Sequence, residues 1–284
     1  MPKGLEVIGG QATAPGSTLT ALTMNATNSS TVRMAPLNAN VALLSFWGRN
    51  NGAGIGRIRS PRLHDNVQGL RFRMTATDPT YLQPMGPWQR LVPQDTLTLE
   101  ISGSGTAGQF EQMGLLIYYT DLPGVSARLI GLDELYKRAM NLWTTEIAVT
   151  PGAAGGYSGQ VAINSTFDNF KANTDYALLG YEVDAQCTIV RFTSPDFGQL
   201  GLGGPGMASN PAGGFGGRHV TAEWFIRLTR HFGIPLVPVF NAANKFGTLV
   251  VIMQNQAGTA VNITANLMEL AAPGTQGYSS GLTG

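Results

Sequence analysis

The chain has 284 residues, of which 43% are hydrophobic and only 12% charged, with a net charge of +1 at neutral pH. This is enough apolar material for one large domain or two of ordinary size; the charge is about half the usual share, and it leaves no electrostatic footprint for nucleic acid. The single cysteine, Cys187, excludes an intrachain disulfide, the start Met1-Pro2-Lys3-Gly4-Leu5 lacks the pattern of a cleaved signal, and no apolar run approaches the roughly 20 residues of a membrane helix.

In chain order, residues 41–47 form a short run of aliphatic and aromatic side chains that predicts a strand, closed by the turn residues Asn50-Asn51-Gly52. Arg57, Arg59 and Arg62 are spaced as on a solvated strand face. Phe72, Met74 and Ala76 alternate with Arg71, Arg73 and Thr75, a period of two. Trp88, in Pro84-Met85-Gly86-Pro87-Trp88, reads as an aromatic exposed on a loop, whereas Trp47, Trp143 and Trp224 read as core. Strands are further predicted over 96–101 and 114–120, and Pro123-Gly124 marks a turn. Residues 132–143 predict the best helix: Leu132, Leu135, Tyr136, Ala139 and Leu142 share a face, with Asp133 and Glu134 early and Lys137 and Arg138 later, as the helix dipole favours. It is expected to act as a rigid connector packed on the first unit.

The second half predicts strands over 143–150, 160–164, 176–183, 188–193, 236–240, 248–254 and 261–270. The segment 198–217, with nine glycines and two prolines, is expected to hold no regular structure. Val220, Ala222, Trp224, Ile226 and Leu228 alternate with Thr221, Glu223, Phe225, Arg227 and Thr229, which predicts a strand broken in period only by Phe225.

The two halves echo each other. Residues 41–46 match 176–181, with Ala42 beside Ala177; Ser60-Pro61 matches Ser194-Pro195; residues 73–76 match 219–222; Leu91-Val92-Pro93 matches Leu236-Val237-Pro238; residues 115–118 match 249–252; Asn25-Ala26-Thr27 pairs with Asn164-Ser165-Thr166. The matches keep their order with offsets of 134–146, and on this alignment the strand at 96–101 is extra to the first copy. The fold expected is all-β: two tandem, internally duplicated jelly-roll or β-sandwich domains, 1–140 and 141–284, joined by a short helix, the second carrying the glycine-rich loop 198–217.

No residue constellation predicts chemistry. Gly201, Gly203 and Gly206 satisfy the spacing of a dinucleotide loop, but no helix can start in the sequence that follows. His64, His219 and His231 have no metal-ligand spacing, and His231 reads as a surface or interface residue. Ser158 lacks the flanking pattern of a nucleophile elbow, Cys187 reads as a buried structural thiol, and Glu100, Glu182 and Glu223 are the strand carboxylates that a glycosidase pair would have to come from. The chain is therefore expected to be no enzyme, with no catalytic, cofactor or metal site.

A weakly charged surface rich in Asn, Thr, Ser, Gln and glycine suits a protein that covers its exterior with copies of itself, and arginine outnumbers lysine by 14 to 4, as suits interfaces. Three chains of two similar domains place six modules round one axis. In this organisation the chain resembles the double jelly-roll major capsid proteins of tailless, often membrane-containing icosahedral phages. The resemblance is architectural and carries over no residue. It implies a homotrimeric, pseudo-hexameric capsomer, contacts with other virion proteins and an internal viral membrane, no specific nucleic-acid binding, assembly in the host cytoplasm and residence in the virion. The alternative expectation is a carbohydrate- or receptor-binding β-sandwich protein of the virion.

Overall fold

The computed structural model describes residues 3–24, 40–62, 67–74, 81–150, 156–184, 187–206, 221–253 and 260–277, and of 81–88 the backbone alone. The first half runs β1 (Lys3–Thr13), β2 (Thr20–Ala21), β3 (Thr23–Met24), β4 (Val41–Arg49), β5 (Gly54–Arg59), β6 (Leu70–Met74), β7 (Tyr81–Leu91), β8 (Thr98–Ile101) and β9 (Phe110–Thr120). These form two antiparallel sheets, ordered β3-β1-β9-β4-β7 and β2-β8-β5-β6. The second half runs β10 (Leu129–Ile130), α1 (Leu132–Arg138), β11 (Ala139–Val149), β12 (Val161–Ala162), β13 (Asp175–Val183), β14 (Ile189–Thr193), β15 (Leu202–Pro205), α2 (Trp224–Phe232), β16 (Val237–Asn241), β17 (Leu249–Met253) and β18 (Val261–Leu270). Its sheets are ordered β10-β16-β13-β18-β11 and β12-β17-β14-β15.

Once β3 and β10 are set aside as edge additions, each half has eight strands, and the two orders are the same. The first, third, sixth and eighth strands build one sheet; the second, fourth, fifth and seventh build the other. This is a jelly-roll winding, performed twice. Equivalent strands even match in length: β1 and β11 have 11 residues each, and β4 and β13 have 9 each.

The structure keeps some of the sequence correspondences and moves others. Ala42 and Ala177 lie on the equivalent strands β4 and β13, and Ser60 and Ser194 each follow directly on the equivalent strands β5 and β14. The pair 115–118 and 249–252 falls on non-equivalent strands, β9 and β17. The true partner of β17 is β8, so the strand first read as an addition is a member of the common eight. Leu91 opposes Val41 on β7, whereas Pro238 lies inside β16 and Val239 opposes Ala177, so this match slips by several residues along the equivalent strand. Arg73 and Met74 belong to β6, whereas Thr221 and Ala222 precede α2. Residues 25–27 lie outside the described residues. Short apolar words recur on every strand of a sandwich, so order alone did not separate adjacent strands.

The segment read as a strand around 220–229 is instead α2. Its buried residues are Trp224, Phe225, Leu228 and Thr229, a helical spacing in which the apparent exception, Phe225, belongs to the core face. Gly233 closes the helix in the left-handed conformation and its amide donates to the Thr229 carbonyl. The connector helix is also shorter than its pattern: it ends at Arg138, Leu142 is 66% exposed, and Ala139 enters β11 opposite Leu270. It packs on the second sandwich, not the first, since Leu135 and Ile130 join that sandwich's core and β10 pairs with β16.

Part of the glycine-rich segment is β15, a buried terminal strand paired to β14 from Ile189↔Pro205 to Phe192↔Leu202. Here the glycines serve close approach. A Cβ on Gly203 would enter the Val190 carbonyl, and one on Gly204 would enter the Trp224 indole and the Tyr181 hydroxyl. The strand edge also tolerates Pro205, which has no N–H to leave unpaired. Gly203→Ala meets backbone, not a movable side chain, and is expected to cost about 1–3 kcal/mol or more, read as a lower midpoint of denaturant unfolding. Residues 207–217 lie outside the described residues.

Candidate functional surfaces

The residues considered for chemistry do not converge. Glu100 is on β8 of the first sandwich, Glu182 on β13 of the second, and Glu223 is the exposed cap of α2. Arg57 and Arg59 both hydrogen-bond the Glu100 carboxylate. Burial alone would raise that carboxyl, but the two guanidinium groups outweigh it and hold it below the usual range. Arg57 and Arg59 are thus half-buried partners of one acid, while Arg62 is exposed. The Ser158 hydroxyl donates to the Gly159 carbonyl and accepts the Ile252 amide, a structural arrangement. Cys187 is fully buried against Gly206, and His231 is exposed, its ring edge-on to Phe232. Gly201, Gly203 and Gly206 lie on and beside β15, not at a helix start. Among the described residues no group of three His, Cys, Asp or Glu could hold a metal. His64, His219 and the Trp88 side chain lie outside the described residues.

What the structure does build is a junction. The β1-β9-β4 sheet is buried on both faces, which explains why β4 and β9 carry apolar side chains at successive positions rather than in alternation. Ile8, Leu43, Phe46, Leu115 and Ile117 point into the first sandwich. Leu5, Val7, Leu44, Trp47, Leu116 and Tyr118 point the other way, into a cluster continuous with the second sandwich's core. The Trp47 indole N–H donates to the Thr188 carbonyl at 2.8 Å, the Thr188 hydroxyl bonds Gln112, and the Val7 amide donates to the Gly201 carbonyl. Arg49 lies at this seam; burial lowers its pKa to about 10, against the raising fields of Cys187 and Glu111.

A polar clasp locks the connector at one end of the second sandwich. Asp175, 8% exposed at the start of β13, accepts from Arg128 at 2.6 and 3.1 Å, from Arg138 at 2.8 Å and from Asn241 at 2.9 Å. Asp196 accepts from the Asn241 amide and the Asn244 side chain, and Arg128 lies near it. Burial pushes the Asp175 carboxyl up, but bonds from Arg128, Asn241 and Arg138 hold it below the ordinary carboxylate range; the Arg128 guanidinium is correspondingly raised, its partners outweighing burial. Of these residues only Arg138 stands out in the sequence, and that for the helix dipole, not for a clasp. Arginines and aspartates separated by 37 to 68 positions leave no local pattern.

The outer face of the β12-β17-β14-β15 sheet carries an open cleft of about 490 Å³ whose lining includes Tyr157, Gln160, Arg191, Thr193, Gln199 and Val251.

No family model matches the chain, and no curated protein matches it. Among solved structures, the PBSX exported protein XepA is similar at 10% identity over 90% of this chain and 88% of that one, with a TM-score of 0.20. The major capsid protein P2 of bacteriophage PM2 is similar at 5% identity over 96% and 99%, with a TM-score of 0.19. Likenesses of that size carry no inference about the function of this chain.

Proposed function

We propose that the chain is a structural virion protein, a major capsid protein whose trimers form pseudo-hexameric blocks that tile an icosahedral shell. The observation that carries this reading is the repeated strand order, two eight-stranded sandwiches of one winding fused in one chain. Three such chains round a three-fold axis present six similar modules, an outline that fills a surface. The continuous core between the sandwiches supports it, because a tile must hold both modules as one rigid piece. A charged fraction of 12% supports it as well, since amides and hydroxyls enter interfaces without the desolvation cost of burying ions. On this reading the partners are other copies, other virion proteins and an internal viral membrane; the protein acts without catalysis or cofactor, and it assembles in the host cytoplasm.

Sedimentation equilibrium at physiological salt tests the proposal. Interfaces between obligate subunits bury upwards of about 2,000 Å², so a trimer or larger species is expected to persist at micromolar concentration. A 30.0 kDa monomer at every concentration would overturn it. A second reading, an oligosaccharide-binding virion protein, is favoured by the cleft at Tyr157, Gln160, Arg191 and Gln199, which offers an aromatic face beside amide and guanidinium donors. A monomer that binds a glycan there would establish it in place of the first.

A further inference from the structure

Two sheet faces of opposite charge lie on different sandwiches. On the outer face of β5-β6-β8, Arg57 is directly opposite Arg71 on one side and Glu100 on the other, Ile55 is opposite Arg73, and Arg59 is opposite Thr98. Among the described residues this face therefore carries four guanidinium groups against one carboxylate. Arg57 and Arg59 spend their charge on Glu100, whereas Arg71 and Arg73 are exposed on the terminal strand β6 with no carboxylate on them among the described residues. Like charges directly across a strand pair are unfavourable by themselves.

On the second sandwich, Glu146 of β11 and Glu182 of β13 both oppose Thr264 of β18, so they flank it in one row. In the next row on the same face Ala148 opposes Asn262, and Asn262 holds Asp184 through its amide and side chain. The patch includes Thr144, Glu146, Ala148, Asn262, Thr264 and Asn266. With Glu182 and Asp184 it presents, among the described residues, three carboxylates and no cation, all partly or fully exposed, and it runs to the terminal strand β11. The sequence that joins these strands at that end, residues 151–155, 185–186 and 254–259, contains no charged residue.

We infer that the arginine face of the first sandwich docks on the acidic face of the second sandwich of another copy of this chain. The inference rests on the proposed self-assembly and names the surfaces that would carry it. Among the described residues, an excess of three positive charges on one face meets three negative charges on the other. Neither face can pair with itself, so the contact is head-to-tail and repeats in one rotational sense, as a closed ring requires. Single exposed ion pairs contribute little affinity; their role here is to choose the partner face and fix its register.

Charge reversal tests it by sedimentation velocity, with far-UV circular dichroism confirming that each variant is folded. Arg71→Glu with Arg73→Glu, and separately Glu146→Arg with Glu182→Arg, are each expected to weaken association at least about tenfold, and raised salt should weaken the native assembly in the same direction. The chain with all four reversals has complementary faces again and should reassemble. If the native chain assembles and the two-site variants do so equally well, or if the four-site variant is no better than either, the inference falls while the shell proposal stands; a native chain that never assembles overturns both. Loss of binding to an anionic vesicle or an oligonucleotide in Arg71→Glu/Arg73→Glu, with assembly unchanged, would assign the arginine face to that partner and overturn the inference.

Discussion

Replacing Trp47 by alanine is expected to cost about 3–5 kcal/mol of stability, the range for emptying a large aromatic from a packed interior. Trp47 is fully buried, yet it does not fill the sandwich on whose strand it sits. It projects from β4 across the junction, its indole N–H on the Thr188 carbonyl. The chain prepares the space on the adjacent strand: Gly114 is directly opposite Trp47, and a Cβ there would lie 2.6 Å from the ring. The variant therefore loses buried area, leaves a cavity and removes one of the two hydrogen bonds that the Thr188 carbonyl accepts, the other coming from the Gly206 amide. Because the junction is one continuous cluster, the native chain should unfold in a single denaturant transition. Trp47→Ala should separate it into two, one per sandwich. A single transition with an unchanged midpoint would show that the junction contributes no coupling.

Asp175→Ala is expected to cost a similar amount, about 3–5 kcal/mol, because it leaves the Arg138 guanidinium, 6% exposed, without its buried counter-charge. The loss should also change the acid limb of the stability curve. The folded Asp175 carboxyl is held below its ordinary value, so the unfolded chain binds its proton first as pH falls. Its contribution is then complete above the unfolded pKa of about 3.9 and is lost progressively as pH drops through the lower folded value. Urea midpoints measured from pH 7 down to pH 3 should fall on the acid side for the native chain, and part of that fall should be missing in Asp175→Asn. Identical curves would mean that Arg128 and Arg138 are held by other contacts.

Both effects bear on the shell proposal. A tile that must transmit contacts from one module to the other needs the two sandwiches locked; the apolar seam around Trp47 joins them, and the clasp ties the connector residue Arg128 and α1 to β13 of the second. The clasp also accounts for the placement of the helix. Arg138 reaches Asp175 and the Ala271 carbonyl, which are both on the second sandwich, and so holds α1 there.

The amino-acid sequence by itself determined the all-β class and most strand positions, because alternation, apolar runs and turn residues are local signals and β4, β9, β13 and β18 express them within a few residues of where they lie. It also suggested a repeat, of which Ala42 with Ala177 and the two Ser-Pro corners fall on or directly after equivalent strands, while the other matches among the described residues slip or change strand. Tertiary structure alone decided the rest. Residues 220–229 alternate acceptably as a strand, but only the presence of β13, β16 and the neighbouring Gly180 and Gly204 backbones makes a helix from Trp224 with Trp224, Phe225 and Leu228 inward the better burial. Glycines that read as a loop became β15 because Tyr181 and Trp224 needed a strand without side chains against them. The equivalence of β8 with β17 was hidden since a strand's place in a sheet depends on its partners, and partners tens of residues away leave no periodicity. The same holds for the Asp175 clasp and the two charged faces: their members are adjacent only once β5 lies beside β6 and β11 beside β18.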